Sequence, residues 1–239
     1  MQRRSDERVR ALLDALLEGR ASPDLAERAS AGLGLPEHGR YAVAVLRVER
    51  PGPVRGAVDV EGMRFWWRAR EDQEIAVVAL GDRGLEELTA VLVGRCPGPG
   101  GISPVVEGLA GLDGARRLAE AALLTCAAGS RRIVRVEDRL TTALLVSQPE
   151  LSARLVTDVF GPLLTLEPAE RELLVETLDA WLECGGSAGR AAGRLFCHRN
   201  TVFNRLRRLE SLTSRSLSRP RELIEMTLAL DAFRLTAVR

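Results

Sequence analysis

The stretch Ser187-Ala-Gly-Arg-Ala-Ala-Gly-Arg-Leu-Phe-Cys-His-Arg-Asn-Thr-Val-Phe-Asn-Arg-Leu-Arg-Arg-Leu-Glu-Ser-Leu212 decides the fold of the C-terminal part of this 239-residue chain. Ser187 is suited to N-cap a short helix that ends near Leu195. A tight turn is expected at Phe196 and Cys197, after which His198 caps a second helix. Two short helices joined by such a turn form a helix-turn-helix, which we predict for residues 187–212.

The second of these helices has one apolar and one polar side. At about 100° per residue, a narrow arc suited to docking on the body of the protein holds Val202, Leu206, Leu209 and Thr213. A solvated surface helix would also be polar on its other side. Asparagine is a poor helix former, however, so two of them one turn apart favour a binding role. The candidate DNA-binding residues are Arg199, Asn200, Thr201, Phe203, Asn204, Arg205, Arg207 and Arg208.

These candidates divide by position around the helix. The amides of Asn200 and Asn204 point outward and are short and directional, which suits reading base edges. Arg199 and Arg207 border them and are expected to reach bases or phosphates. The remaining polar candidates lie further round, where phosphate contact is expected: Thr201, Arg205 and Arg208.

The charge of the chain is uneven, although its formal net charge is only +1. All 34 basic residues are arginine, which points to coding bias and weakens arginine counts as evidence of function. Residues 187–219 nevertheless hold eight arginines against Glu210 alone, a net charge of +7, while the rest of the chain carries −6. A basic segment on an acidic protein is typical of a polyanion site. The predicted partner is double-stranded DNA.

The residues before this segment mix strand and helix patterns. Strands are expected at 41–48, 63–68, 74–80 and 133–136, helices at 9–17, 24–31, 85–93 and 112–126, and a loop at 96–101. From Ser147 only helical patterns remain: a stripe over 151–160 that we expect to break at Gly161-Pro162, and a helix over 168–184. The fold class is therefore α+β. We predict a helical leader over 1–36, a regulatory and dimerisation domain over 37–145, and a helical DNA-binding domain over 146–239.

Several classes of protein are disfavoured by composition. The charged start lacks the apolar run of a signal peptide, and no apolar stretch approaches the ~20 residues that span a bilayer. The four cysteines have no metal-ligand spacing, and only His38 and His198 could assist them. We therefore expect a cytoplasmic protein without a metal site, a cofactor or a membrane partner.

Residues 194–213 resemble the helix-turn-helix of the PucR-type regulators, a family named for purine catabolism that includes the sugar-diacid regulators. The family's hallmark is the run His-Arg-Asn-Thr-Val followed by Arg-Leu-Arg-Arg, after a helix carrying Leu-Asp-Ala-Trp-Leu, here at 178–182. Residues 228–235 resemble its closing helix. Residues 41–136 are similar to its middle domain, a degenerate relative of the GGDEF fold of diguanylate cyclases. Gly101-Ile-Ser103 and residues 115–123 carry that likeness.

The resemblance implies a degenerate GGDEF-like α/β sandwich followed by an all-α domain with a helix-turn-helix. It implies a sequence-specific transcription regulator and not an enzyme. Because one helix-turn-helix reads only a few base pairs, we expect a homodimer or a larger homo-oligomer. The Gly-Gly-Asp/Glu-Glu-Phe hairpin of a working cyclase is absent, and Arg70-Glu-Asp-Gln73 stands at that turn. We expect the N-terminal sensory domain of many members to be absent, and the sequence leaves the identity of any small-molecule effector open. The alternative is a ligand-sensing or protein-interaction module that does not bind DNA.

Overall fold

The computed structural model describes residues 2–19, 23–49, 57–96, 98–127 and 129–237. The chain is α+β and divides into two compact units, Met1–Leu144 and Leu145–Arg239. Within the described ranges, no helix has both the length and the apolar character needed to cross a membrane.

The first unit is built on one seven-stranded sheet. Its strands are β1 (His38–Arg47), β2 (Val58–Val60), β3 (Met63–Ala69), β4 (Gln73–Ala79), β5 (Gly100–Ile102), β6 (Val106–Gly108) and β7 (Ile133–Arg135). Their order is β2-β3-β4-β1-β5-β7, and β6 also pairs with β1. All pairs are antiparallel except β5 with β7. The helices are α1 (Gln2–Leu17), α2 (Pro23–Leu33), α3 (Leu85–Arg95) and α4 (Leu112–Leu124), and α5 (Leu140–Ser147) crosses the division between the units.

Both faces of this sheet are covered by helices. Along β1, Tyr41, Val43 and Val45 belong to a buried cluster that includes α1, α2 and α4 residues. The alternate residues Ala42, Ala44 and Leu46 belong to a second buried cluster with α3. Because successive side chains of a strand point to opposite faces, a strand buried on both sides needs apolar residues at every position. This accounts for the continuous apolar run of β1.

The expected loop over 96–101 is wrong at its end, where Gly100 and Gly101 belong to β5. Glycine usually weakens a strand, but here it permits a close approach of two backbones. A Cβ atom on Gly101 would lie 2.0 Å from the carbonyl oxygen of Ala119 and 2.4 Å from the amide nitrogen of Leu123, both in α4. The two glycines therefore allow α4 to pack directly on the strand.

The second unit contains helices and no strand over residues 145–237. Its helices are α6 (Pro149–Leu164), α7 (Pro168–Glu183), α8 (Ala188–Arg194), α9 (Arg199–Thr213) and α10 (Pro220–Ala237). All five contribute to one buried cluster, which includes Phe160, Leu178, Ala191, Leu209 and Leu230. The rings of Phe160 and Phe233 meet edge to face, with centroids 6.3 Å apart.

The predicted break at Gly161-Pro162 is also wrong, because α6 continues to Leu164. Proline removes one backbone hydrogen bond from a helix. Leu163, one residue further on, is fully buried in the core of this unit, and its packing offsets part of the loss. Leu151, the first residue of the predicted apolar stripe, is 65% exposed, so the buried part of α6 starts later.

Candidate nucleic-acid interface

Helix α8 begins at a capped turn. Gly185 and Gly186 end α7 with φ of +60° and +76°, a region that favours glycine. The hydroxyl oxygen of Ser187 then accepts a hydrogen bond from the backbone N–H of Arg190 at 3.4 Å. Ala188, Ala191 and Ala192 are buried. Such small side chains let α8 lie close to its neighbours, so this short helix is held mainly by packing.

A tight turn joins α8 to α9. Phe196 has φ of +49°, and the N–H of Cys197 donates to the carbonyl of Ala192 at 3.0 Å. His198 follows in an extended conformation, and its ring Nδ1 accepts a hydrogen bond from the N–H of Asn200 at 3.2 Å. The histidine ring thereby satisfies one of the free N–H groups at the start of α9. The sequence located this turn but gave no sign that the Phe196 side chain is 97% exposed.

The inner side of α9 is the predicted arc. Val202, Leu206, Leu209 and Thr213 are all buried, and the Thr213 hydroxyl donates to the carbonyl of Leu209 at 2.8 Å. Burial of a leucine or valine side chain contributes about 1.5–3 kcal/mol. Three such side chains and the buried Thr213 along one stripe fix the rotation of α9 about its axis, and with it the direction of every other side chain.

The predicted site residues lie on the remaining surface of this helix. Thr201 and Arg205 are half-buried. The others are exposed, namely His198, Arg199, Asn200, Phe203, Asn204, Arg207 and Arg208. The structure therefore gathers all of them along a helix of 15 residues and its N-cap.

Two arginines of α9 are held by α7. Arg208 forms an ion pair with Glu170. Arg205 donates from Nη1 to the hydroxyl of Thr177 at 3.4 Å. Both lie on the same flank of α9, the one that faces α7. On the opposite flank, Arg199 and Arg207 form no ion pair or side-chain hydrogen bond with any residue that the structure describes.

The other arginines of residues 187–219 also have partners within the unit. Arg190 donates to the carbonyl of Cys184 at 2.5 Å, and Arg194 pairs with Glu183 at 2.5 Å. Arg215 pairs with Asp158 and Glu225, and Arg219 pairs with Glu222, each at 2.9 Å. The charge of the basic segment is thus partly neutralised in three dimensions, because Arg194, Arg208, Arg215 and Arg219 are paired with carboxylates. These carboxylates lie in α6, α7 and α10, outside the segment, which is why a charge count along the chain missed them.

Glu210, the only acid of the basic segment, does not face the exposed surface of α9. Its carboxylate accepts hydrogen bonds from the N–H of Leu217 at 2.8 Å and from the hydroxyl of Ser216 at 3.2 Å. It therefore anchors the loop between α9 and α10 and leaves the outer surface without a negative charge of its own.

The cysteine and carboxylate side chains of the described residues form no cluster suited to metal binding. No three His, Cys, Asp or Glu side chains among the described residues are close enough to hold a metal ion. Burial raises the pKa of the Cys96 thiol to about 11 and also raises the pKa of Cys126. Both thiols are therefore protonated, and poorly nucleophilic, at neutral pH.

In comparison with known proteins, a family model matches part of each unit. Residues 174–232 match the family model described as PucR C-terminal helix-turn-helix domain, and residues 18–125 match the model described as GGDEF-like domain.

Individual relatives match over shorter stretches. An uncharacterized protein of Mycobacterium tuberculosis and one of Mycobacterium bovis are each 38% identical over 94 residues, which is 39% of this chain and 22% of theirs. An uncharacterized protein of Thermomonospora curvata is 36% identical over 96 residues, 40% of this chain and 51% of that protein. The chain thus spans about a fifth to a half of these relatives. A crystal structure of a Regulator of Polyketide Synthase Expression from Bifidobacterium adolescentis is similar at 21% identity and a TM-score of 0.45, covering 96% of this chain and 98% of that one.

Proposed function

This chain is a PucR-type protein, with a GGDEF-like domain followed by the family's C-terminal helix-turn-helix, and on that premise we propose that it regulates transcription by binding specific double-stranded DNA through α9. The observation that carries the proposal is the outer surface of α9. Four side chains project from this surface without side-chain partners among the described residues: Asn200, Asn204, Arg199 and Arg207. The inner side of α9 is packed against the core of the helical unit. Exposed amides and guanidinium groups on a docked helix are the groups that bind base edges and phosphates.

The proposed roles follow from position around the helix. Asn200 and Asn204, one turn apart, read base edges, and bidentate pairing with adenine is the usual mode for asparagine. Arg199 and Arg207 reach bases or phosphates beside them. The α7 flank contacts phosphates on the far side of the groove through Thr201, Arg205 and Arg208. For Arg205 and Arg208 this means exchanging Thr177 and Glu170 for phosphate oxygens.

We further propose a homodimer. One helix-turn-helix reads only a few base pairs, and two-fold partners bind half-sites about one turn of DNA, ~34 Å, apart. The GGDEF-like domain would provide the dimer contact and regulation without catalysis, and it is the candidate binding site for a small-molecule effector. We propose a location in the bacterial cytoplasm, where the DNA partner lies.

The experiment is a selection from random duplex DNA with the purified full chain, followed by affinity measurements on the enriched operator. Asn204→Ala should cost ~1–3 kcal/mol at the operator and relax the preference for operator over random DNA. Ser211→Ala is the matched control, because Ser211 is exposed two turns further along the same side of α9. It should leave both affinities unchanged.

Two results would contradict the proposal. Failure to enrich any sequence, with equal weak binding to all duplexes, would favour a ligand-sensing or protein-interaction module. Equal losses on operator and random DNA for Asn204→Ala would show that α9 is oriented differently on the duplex.

A further inference from the structure

Phe203 is an aromatic residue on the polar side of α9. Its side chain is 48% exposed, although the inner side of the helix is fully occupied by other residues. It does not belong to the buried cluster of the helical unit, nor to the partly buried side chains packed against that cluster. Packing of the described residues therefore gives no reason for a phenylalanine at this position.

The neighbours of Phe203 are the side chains proposed to read DNA. In a helix, residues three or four apart lie on the same side, so Phe203 is flanked by Asn200 and Arg207. Asn204 follows it directly. A half-exposed ring between an amide and a guanidinium group faces whatever those two groups contact.

The major groove of B-DNA offers one apolar group to such a ring. Base edges there present hydrogen-bond donors and acceptors, and the exception is the C5-methyl group of thymine. Phenylalanine forms no hydrogen bond with the other groups and would desolvate them at a cost. Resting on the proposed DNA binding, we infer that Phe203 is a specificity-determining residue that contacts the C5-methyl group of a thymine in the operator.

The position of that thymine follows from spacing along the helix. Consecutive residues of an α-helix advance only about 1.5 Å along its axis, less than the roughly 3.4 Å between stacked base pairs. Phe203 therefore reaches the base pair read by Asn204 or the one beside it. An adenine read by asparagine brings its own thymine, whose methyl group lies in the same groove.

Single replacement of each operator thymine by deoxyuridine tests the inference, because this removes one methyl group and keeps every hydrogen-bonding group. For the wild-type chain, one position within a base pair of the Asn204 contact should lose about fourfold in affinity, the value of one buried methyl. Phe203→Ala should bind the operator more weakly and show no further loss at that position. Phe203→Leu, which keeps an apolar group on a good helix former, should retain part of the sensitivity.

Phe196→Ala is the matched control, since Phe196 is an exposed phenylalanine outside α9 and should leave the methyl sensitivity intact. The inference is overturned if no thymine position is sensitive in the wild-type chain, if the operator has no thymine near that contact, or if Phe203→Ala keeps the full sensitivity. In each of these cases the proposed function still stands when Asn204→Ala relaxes the preference for the operator. If no operator is enriched at all, both proposals fail together.

Discussion

Replacing Arg207 by alanine should flatten the salt dependence of DNA binding, whereas replacing its neighbour Arg208 should change it little. Each phosphate neutralised by a free cation releases counterions and contributes about 0.9 to the slope of log K against log salt. Arg207 has no partner among the described residues. Arg208 is already neutralised by Glu170. If Arg208 moves to a phosphate, Glu170 takes up a cation from solution, and the net release is close to zero.

The magnitude follows from the number of α9 arginines that have no carboxylate partner. Arg199, Arg205 and Arg207 provide about three free cations per protomer, since the Thr177 partner of Arg205 is uncharged, so a dimer that places all of them on phosphates has a slope of about −5.4. Its affinity would then fall about 1,800-fold between 50 and 200 mM salt. For the Arg207→Ala dimer the slope would be about −3.6, and the same change in salt would cost about 150-fold. Counting every arginine of residues 187–219 as free would instead give a slope near −14.

The assay is fluorescence anisotropy of labelled operator DNA titrated with each variant across a salt series, with folding checked by circular dichroism. Glu170→Gln is the informative third variant, because it frees Arg208 and should steepen the slope by about 1.8 for a dimer. Adding Arg208→Ala to it should restore the wild-type slope. The reasoning is refuted if Arg208→Ala flattens the slope as much as Arg207→Ala does, or if the wild-type slope lies near −14.

Three further predictions concern stability and one concerns catalysis. Leu209→Ala, at a fully buried position of α9, should lower the free energy of unfolding by about 2–5 kcal/mol in urea denaturation and abolish DNA binding. Gly101→Ala should destabilise the sheet unit by about 1–3 kcal/mol or more, because its new Cβ would lie 2.0 Å from a backbone oxygen of α4; an unchanged urea midpoint would contradict this. Burial raises the pKa of the Asp231 carboxyl, with Arg234 opposing the shift and Asp179 adding to it. The charged form therefore destabilises the fold, so Asp231→Asn should be more stable than wild type at pH 7, and the difference should shrink as the pH falls towards ~4. Purified protein supplied with GTP and Mg²⁺ should form no cyclic di-GMP, since the cyclase hairpin is missing; detection of the dinucleotide by mass spectrometry would overturn that expectation.

Local patterns in the sequence predicted much of the fold and the position of the candidate site. The apolar spacing of Val202, Leu206 and Leu209 predicted which side of α9 is buried, because a helix repeats its direction every 3.6 residues whatever surrounds it. The apolar run at residues 41–48 predicted a strand, and the structure shows that this strand is buried on both faces. The turn at Phe196 was also predicted, since it depends on residues adjacent in the chain.

Other features depend on packing between distant residues and were beyond local patterns. The pattern around Gly100 and Gly101 predicted a loop, whereas the structure has a strand there against which α4 packs. Helix α6 continues through Pro162, and Leu163 packs in the core. The net charge of the candidate interface also depends on contacts between residues that are distant in the chain. Sequence determined that eight arginines stand together in residues 187–219, but only tertiary structure placed Glu170, Glu183 and Asp158 against three of them. Ion pairs form between side chains that the fold brings within a few ångströms, and separation along the chain carries no information about that distance.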